Sequence, residues 1–301
     1  MDLTTSNLQL FFTGLRTAYA DGYQQTSPWA DKISSELSSG SELETYGWMD
    51  LVSDFREWIG ERQITPVSIR SRSVVNKTWE ETHSIPREKL EDDKAGLFSL
   101  LSRQMGENAA KLHDRQLAAL ILANPTGFDG VSFFSASHPT DLDEPSSSTQ
   151  SNSFSLALNA TNYAAVRASM GSFVGRKGQI IGSPGNLLVV PPQLEYTART
   201  ILQASTIPNA GGTASQANVL AGSADLLVIE ELASDPTAWY LLNTRKVLKP
   251  FMRQIRRPMQ FVALMDPRDP NVFFKKEFIF GADCRSAYDV TLWFLACKSK
   301  P

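Results

Sequence analysis

His83, His113 and His138 are the whole imidazole inventory of the chain. None stands in an HExxH pair, and none falls at zinc-ligand spacing from Cys284 or Cys297. His138, just after Phe133-Phe134, has Asp129 upstream and serines on both sides. A serine hydrolase using Asp129, His138 and one of those serines is therefore one reading, although no GxSxG elbow announces the nucleophile. His113 falls on a helical stretch and reads as a helix-face residue. Gly175-Arg176-Lys177-Gly178, with Gly182 and Gly185, lacks the spacing of a phosphate loop or dinucleotide fingerprint and reads as a turn before a strand. Glu91-Asp92-Asp93 reads as first-turn charge complementing a helix dipole rather than as a metal site. A last chemical feature is a basic run. Arg245, Lys246, Lys249, Arg253, Arg256 and Arg257 precede the next acid, Asp266. Such a run suits a DNA-binding module through phosphate contacts, or charge pairing between subunits. No metal or cofactor is implied, and the chain is not expected to be an enzyme.

Composition bounds the alternatives. The 301 residues are 42% hydrophobic and 20% charged with a formal charge of -3, enough apolar content for a sizeable core and too little positive charge for a nucleic-acid coat. No apolar run approaches the roughly 18 residues of a membrane span. The opening residues lack a signal-peptide pattern, and two cysteines make no disulfide framework, so a reducing, intracellular setting is expected.

The elements that must position these residues are unusual in proportion. Residues 1–45 contain a short amphipathic stretch from Leu8 to Tyr19 and then a serine-rich, core-poor arm. Trp48, Trp58 and the alternation through Arg70 and Arg72 predict a long charged hairpin reaching residue 89, too polar to lie inside a domain. Leu97, Leu101, Met105, Leu112 and Leu120 predict one continuous helix over 94–124, about 45 Å long, stopped by Pro125. Gly106 would kink it or admit a close backbone contact. An exposed loop over 139–153 and an alternating α/β stretch follow, with an N-cap at Asn162, helices over 162–173 and 194–204, and strands at 187–190 and 225–230. A second long hairpin then turns through Asp266, Arg268 and Asp269, with its returning strand over 272–280 and an apolar C-terminal tail behind it.

This order of parts resembles the Hong Kong phage-type major capsid protein fold, an α+β fold with N-terminal arm, extended loop, spine helix in a peripheral domain, and axial domain. Its words resemble the Mu-type phage major head subunit family more narrowly. They are Thr45-Tyr46-Gly47-Trp48, Glu57-Trp58-Ile59-Gly60, Asn76-Lys77-Thr78-Trp79-Glu80, Phe128-Asp129-Gly130, Trp239-Tyr240-Leu241-Leu242 and Asp269-Pro270-Asn271-Val272-Phe273, with Trp293 near the end. Ser286-Ala287-Tyr288-Asp289 departs from a glycine-rich family tendency.

The resemblance implies an arm at 1–45, an extended loop at 46–89 and a peripheral domain at 90–153 and 245–282. It implies an axial domain at 154–244, rejoined by residues 283–301. It further implies a shell subunit forming hexamers and pentamers around double-stranded DNA held without sequence specificity, assembled in the host cytoplasm and resident in the virion. A separate scaffold and protease, a portal and decoration proteins are the implied partners; no membrane is. A bacterial nanocompartment shell of the same fold is the alternative. Trp48, Trp58, Arg70, Arg72, Arg253, Arg256, Asp266, Arg268 and Asp269 are the expected subunit-interface residues.

Overall fold

A computed structural model describes residues 5–49, 69–92, 96–144, 146–208, 215–264, 266 and 269–301. In chain order, helix α1 (Thr5–Gln25) and the single turn α2 (Ala30–Ile33) precede strands β1 (Ser34–Ser38), β2 (Leu43–Met49), β3 (Ile69–Val75) and β4 (Lys77–Pro86). Helices α3 (Arg87–Asp92), α4 (Leu97–Ala110) and α5 (Leu112–Ala123) follow, then the short strands β5 (His138–Pro139), β6 (Thr149–Gln150) and β7 (Ser153–Phe154). Next come α6 (Ala160–Gly171), β8 (Leu187–Val190), α7 (Glu195–Gln203), β9 (Thr206–Pro208), β10 (Ser215–Ala217), β11 (Asp225–Val228) and β12 (Trp239–Leu242). The chain closes with β13 (Phe251–Leu264), α8 (Pro270–Lys275), β14 (Glu277–Val290) and β15 (Ala296–Ser299).

Two sheets organise these elements. The first is five-stranded, ordered β11-β8-β12-β15-β7, and collects the apolar runs at 187–190, 239–242 and the C-terminal tail. All four residues of β8 and all four of β12 are buried, with Trp239, Leu241 and Leu188 at its centre. The helix beside it starts earlier than the sequence suggests: Asn159 is the N-cap, and Asn162 donates its backbone N–H to that side chain at 2.8 Å.

The second sheet is four-stranded, ordered β1-β13-β14-β4. Its spine is the ladder between β13 and β14, paired from Phe251–Val290 at the core end to Leu264–Ile279 at the far end. The register shifts around Pro258, where a missing N–H is tolerated at a bulge. One face of the far half is covered by α1 and α4 around Phe12, Leu15, Met105, Phe278 and Phe280. Among the described residues the other face is left uncovered, with Val262 and Leu264 exposed.

Several expectations are corrected here. The amphipathic stretch at Leu8–Tyr19 lies within a longer helix, the 21 residues Thr5–Gln25, and its Leu8, Phe12, Leu15 and Tyr19 are buried, so the N-terminal segment carries more core than expected. The returning side of the hairpin ends at Val75 rather than near residue 89: β2 pairs with β3, whereas β4 turns away at Asn76 and joins β14 along its whole length. The long helix divides at Lys111 into α4 and α5. That division lets the Asp114 carboxylate accept the backbone N–H groups of Trp29 at 3.2 Å and Ala30 at 2.8 Å. Met105 is buried and Leu101 partly so beside the sheet, but α1 covers the same helix. Glu91 and Asp92 end α3 instead of opening α4, with Glu91 accepting from Arg87 at 3.1 Å. The turn after β13 leads into α8, so the returning strand begins at Glu277.

Helices α1 and α4 run side by side in the same direction, because both carry glycine at the contact. A Cβ on Gly106 would lie 2.1 Å from the Tyr19 carbonyl oxygen, and one on Gly22 would lie 2.1 Å from that of Arg103. Ser102, fully buried, donates to the Leu15 carbonyl at 2.8 Å. Gly106 thus serves close backbone approach. Gly106→Val is expected to lower unfolding free energy in urea by about 2–3 kcal/mol, the cost of overpacking. Gly14→Ala, where nothing lies within 4 Å, is expected to raise it by about 1 kcal/mol through helix propensity.

Candidate assembly surfaces

The hairpin β2–β3 leaves the body of the protein through a polar junction. Arg72 on β3 grips Asp289 with two nitrogens, Nη2 to Oδ1 at 2.7 Å and Nε to Oδ2, and reaches the Gly127 carbonyl at 3.3 Å. Arg70, half exposed, donates to the Leu142 carbonyl at 2.9 Å and to Asp143 at 3.2 Å. Arg176, in the turn after α6, pairs with Asp141 at 3.2 Å and with Asp143 at 3.4 Å. Tyr46 on β2 donates to Gln254 at 2.8 Å, and buried Gln254 donates to Asn76 at 2.8 Å. The hairpin is therefore held by charged and polar contacts to the four-stranded sheet and to the loops at Gly127 and 142–143. Trp48 lies opposite Arg70 in the hairpin register at its last described residues; Trp58 lies outside the described residues.

The basic run divides. Arg253, with 7% of its side chain exposed, is clamped within the chain by Asp31 and by Glu36 at 3.3 Å, Glu36 being its direct neighbour across the β1–β13 pair. Arg257 pairs with Asp283 at 2.9 Å. Arg256 is exposed and donates to the Ser39 carbonyl at 3.2 Å. Acids of the same chain stand beside Arg72 and Arg253, so neither charge needs a neighbouring copy to be paired. With Arg253 and Arg257 engaged, the run is also no continuous stripe for nucleic acid. At the far end Asp266 is exposed. Its backbone N–H reaches Asp269 Oδ2 at 3.1 Å, and Asp269 donates its own N–H to the Asp266 carbonyl at 2.9 Å. These two acids brace their own turn at the start of α8. Arg268 lies outside the described residues.

The structure does bring Asp129 and His138 together, at 2.5 Å between Oδ2 and Nδ1. The hydrolase reading fails at the other ring nitrogen. Nε2 sits 3.1 Å from Asn152 Oδ1, in a site with 0% exposure, with the imidazole stacked 4.3 Å from the Trp293 ring. Asn152 is fixed by donating to the carbonyls of Phe133, Trp293 and Ala296 and by accepting from the Ser135 N–H. The constellation pins the 128–152 segment onto the C-terminal tail. Among the described residues no group of His, Cys, Asp or Glu side chains could hold a metal ion, and no helix is long and apolar enough to cross a membrane.

His113 shares a cleft with Tyr23, Asp31, Glu36 and Arg253, and its Nδ1 meets the Tyr288 hydroxyl at 2.8 Å. Burial, then the nearby Arg253 charge, push its pKa down from 6.5 to about 4. A mostly apolar surface depression of about 480 Å³ opens beside Val247, Ile180 and Phe294.

A long two-stranded ladder leaving a self-sufficient core, a hairpin aimed outward by a charged junction, and a helix lying along the sheet define a Hong Kong phage-type shell subunit. The chain belongs to the Mu-like prophage major head subunit gpT family, which it matches over residues 8–157, 153–232 and 230–301. It is 24% identical to the major capsid protein of Escherichia phage Mu over 302 residues, covering 100% of this chain and 75% of that protein. It is 23% identical to the Mu-like prophage FluMu major head subunit of Haemophilus influenzae over 297 residues, covering 98% and 73%. The procapsid structure of bacteriophage JBD30 shares the fold at a TM-score of 0.61 and 22% identity, covering 99% of this chain and 76% of that one.

Two outcomes are expected from this geometry. Arg72→Met, which leaves Asp289 nearly buried without its partner, should cost about 3 kcal/mol in urea unfolding and speed proteolysis within the hairpin. The unfolded chain protonates His113 near pH 6.5 and the folded one only near pH 4. Between those values the unfolded state holds more protons, so stability should fall as pH drops from about 6.5 to about 4. His113→Gln should flatten that part of a stability–pH profile.

Proposed function

We propose that this major head subunit assembles, as hexamers and pentamers, into a closed icosahedral shell that encloses double-stranded DNA without reading its sequence. The observation that carries this reading is the far half of the four-stranded sheet, where α1 and α4 cover one face while Val262 and Leu264 stay exposed on the other. A monomer gains nothing from such a surface, whereas a repeated contact buries it in every copy. The net charge of -3 argues that DNA is contained rather than bound tightly. Assembly in the host cytoplasm, with scaffold, protease and portal proteins encoded separately and decoration added outside, completes the proposal; the virion is the final location.

The hairpin is proposed to lie over an adjacent subunit, with Trp48 and Trp58 as its anchors, and exposed Arg256 and Arg268 are proposed to make charged contacts between copies. Negative-stain microscopy of the purified protein tests the shell directly. Closed particles or capsomers are expected; a monodisperse monomer at every salt and protein concentration would overturn it. Trp58→Ala is expected to raise the concentration needed for assembly at least about tenfold, since burying a large aromatic contributes roughly 2–3 kcal/mol. Monomer stability should be unchanged.

A further inference from the structure

The far end of the four-stranded sheet carries both halves of an apolar contact. On the open face, Val262, Gly281 and Thr82 form one row across three strands, and Leu264, Ile279 and Ser84 form the next. Gly281 leaves the middle of its row without a side chain. A Cβ there would come within 2.7 Å of the Glu81 carbonyl oxygen and 3.0 Å of the Thr82 hydroxyl, so close strand approach requires glycine and leaves a floor. The resulting depression, about 230 Å³, is walled by Val262, Leu264 and Ile279. Roughly 150 Å³ is enough to hold a benzene ring. The next row, Gln260, Asp283 and Glu80, puts two carboxylates at one rim, Asp283 paired with Arg257 and Glu80 left to give it negative charge.

The complementary half stands on α8. Phe273 and Phe274 are 77% and 79% exposed and pack edge to face with ring centroids 5.1 Å apart. Their orientation is fixed by neighbours. Val272 is buried beneath them, and Lys276, held at φ 53, accepts the Arg87 N–H on its carbonyl at 2.8 Å. Lys275 and Lys276, both exposed, put positive charge beside the rings. A preorganised aromatic knob with a basic flank matches an apolar depression with an acidic rim, and with this exposure the knob does not fill the depression of its own copy.

We propose that Phe273 and Phe274 of one copy seat in the depression over Gly281 of a second copy. The contact is heterologous, knob of one into hollow of the next, so it repeats head to tail and closes into a ring when the rotation permits. It deepens the shell reading by naming the partner surface at this end of the sheet, and rests on that reading for its place in a particle.

Disulfide trapping tests it. Val262→Cys combined with Phe274→Cys, oxidised mildly and run on a non-reducing gel, is expected to give a ladder of linked copies, whereas each single variant stays monomeric. Cys284 and Cys297 are buried at 2% and 1% exposure and do not compete. Phe273→Ser with Phe274→Ser changes only exposed side chains and is expected to raise the half-assembly concentration at least tenfold. Particles that form without cross-links overturn the contact and leave the shell proposal standing. Cross-linked rings without particles uphold the contact and overturn the shell. Monomers without cross-links overturn both.

Discussion

Everything outside the five-stranded core depends on the ladder between β13 and β14. Fourteen residues of strand, at about 3.4 Å each, reach well beyond what one small core can cover. At the core end the ladder is buried on both sides, with Phe251, Met252, Val290 and Leu292 all within a few per cent of full burial. Beyond Pro258 it is accompanied by β4 along β14 and, on one face, by α1 and α4 with Leu90 of α3 and Val272 of α8. Among the described residues the opposite face is left uncovered there, with Val262 and Leu264 about half exposed, a surface that contact with other copies would bury.

The same ladder organises the charged groups. Asp289 and Arg253 sit near its buried end, and each pairs with a group from a distant segment: Arg72 from the hairpin, Asp31 and Glu36 from the stretch after α1. Partly buried ion pairs of this kind add modest net stability, because desolvation offsets the attraction, but they strongly disfavour arrangements that leave one charge unpaired. Their contribution here is to direction. Arg72 sets where the hairpin points, and Arg253 locks β1 in parallel register along the edge of the sheet. The His138–Asp129–Asn152 cluster does the same for the segment crossing the C-terminal tail.

The sequence carries the local features plainly. Leu187-Leu188-Val189-Val190 before two prolines reads as a buried strand, Pro125 stops α5, and the apolar tail docks as β15. Long-range pairings leave no local trace. Nothing near Arg253 announces Asp31, more than two hundred residues away, and Gly22 and Gly106 reveal their helix contact only when set side by side. No breaker residue marks the division at Lys111, and nothing near Asp114 announces the N–H groups of Trp29 and Ala30 that its carboxylate accepts. The missed helix α8 did carry a signal: Asp269-Pro270 suits a turn, but it is equally the start of a helix with proline at its first position. The order of family words survived these errors, since it depends on the succession of parts rather than on their exact ends.

The central claim is that the five-stranded core is self-sufficient whereas the far end of the four-stranded sheet is completed by other copies. Amide hydrogen exchange on free subunit and assembled protein measures this directly. The account predicts that peptides covering β8 and β12 are equally protected in both states, whereas those covering 259–264 and 270–282 exchange fast in the free subunit and slow at least tenfold on assembly. Equal protection of those far-end peptides in the two states would contradict it.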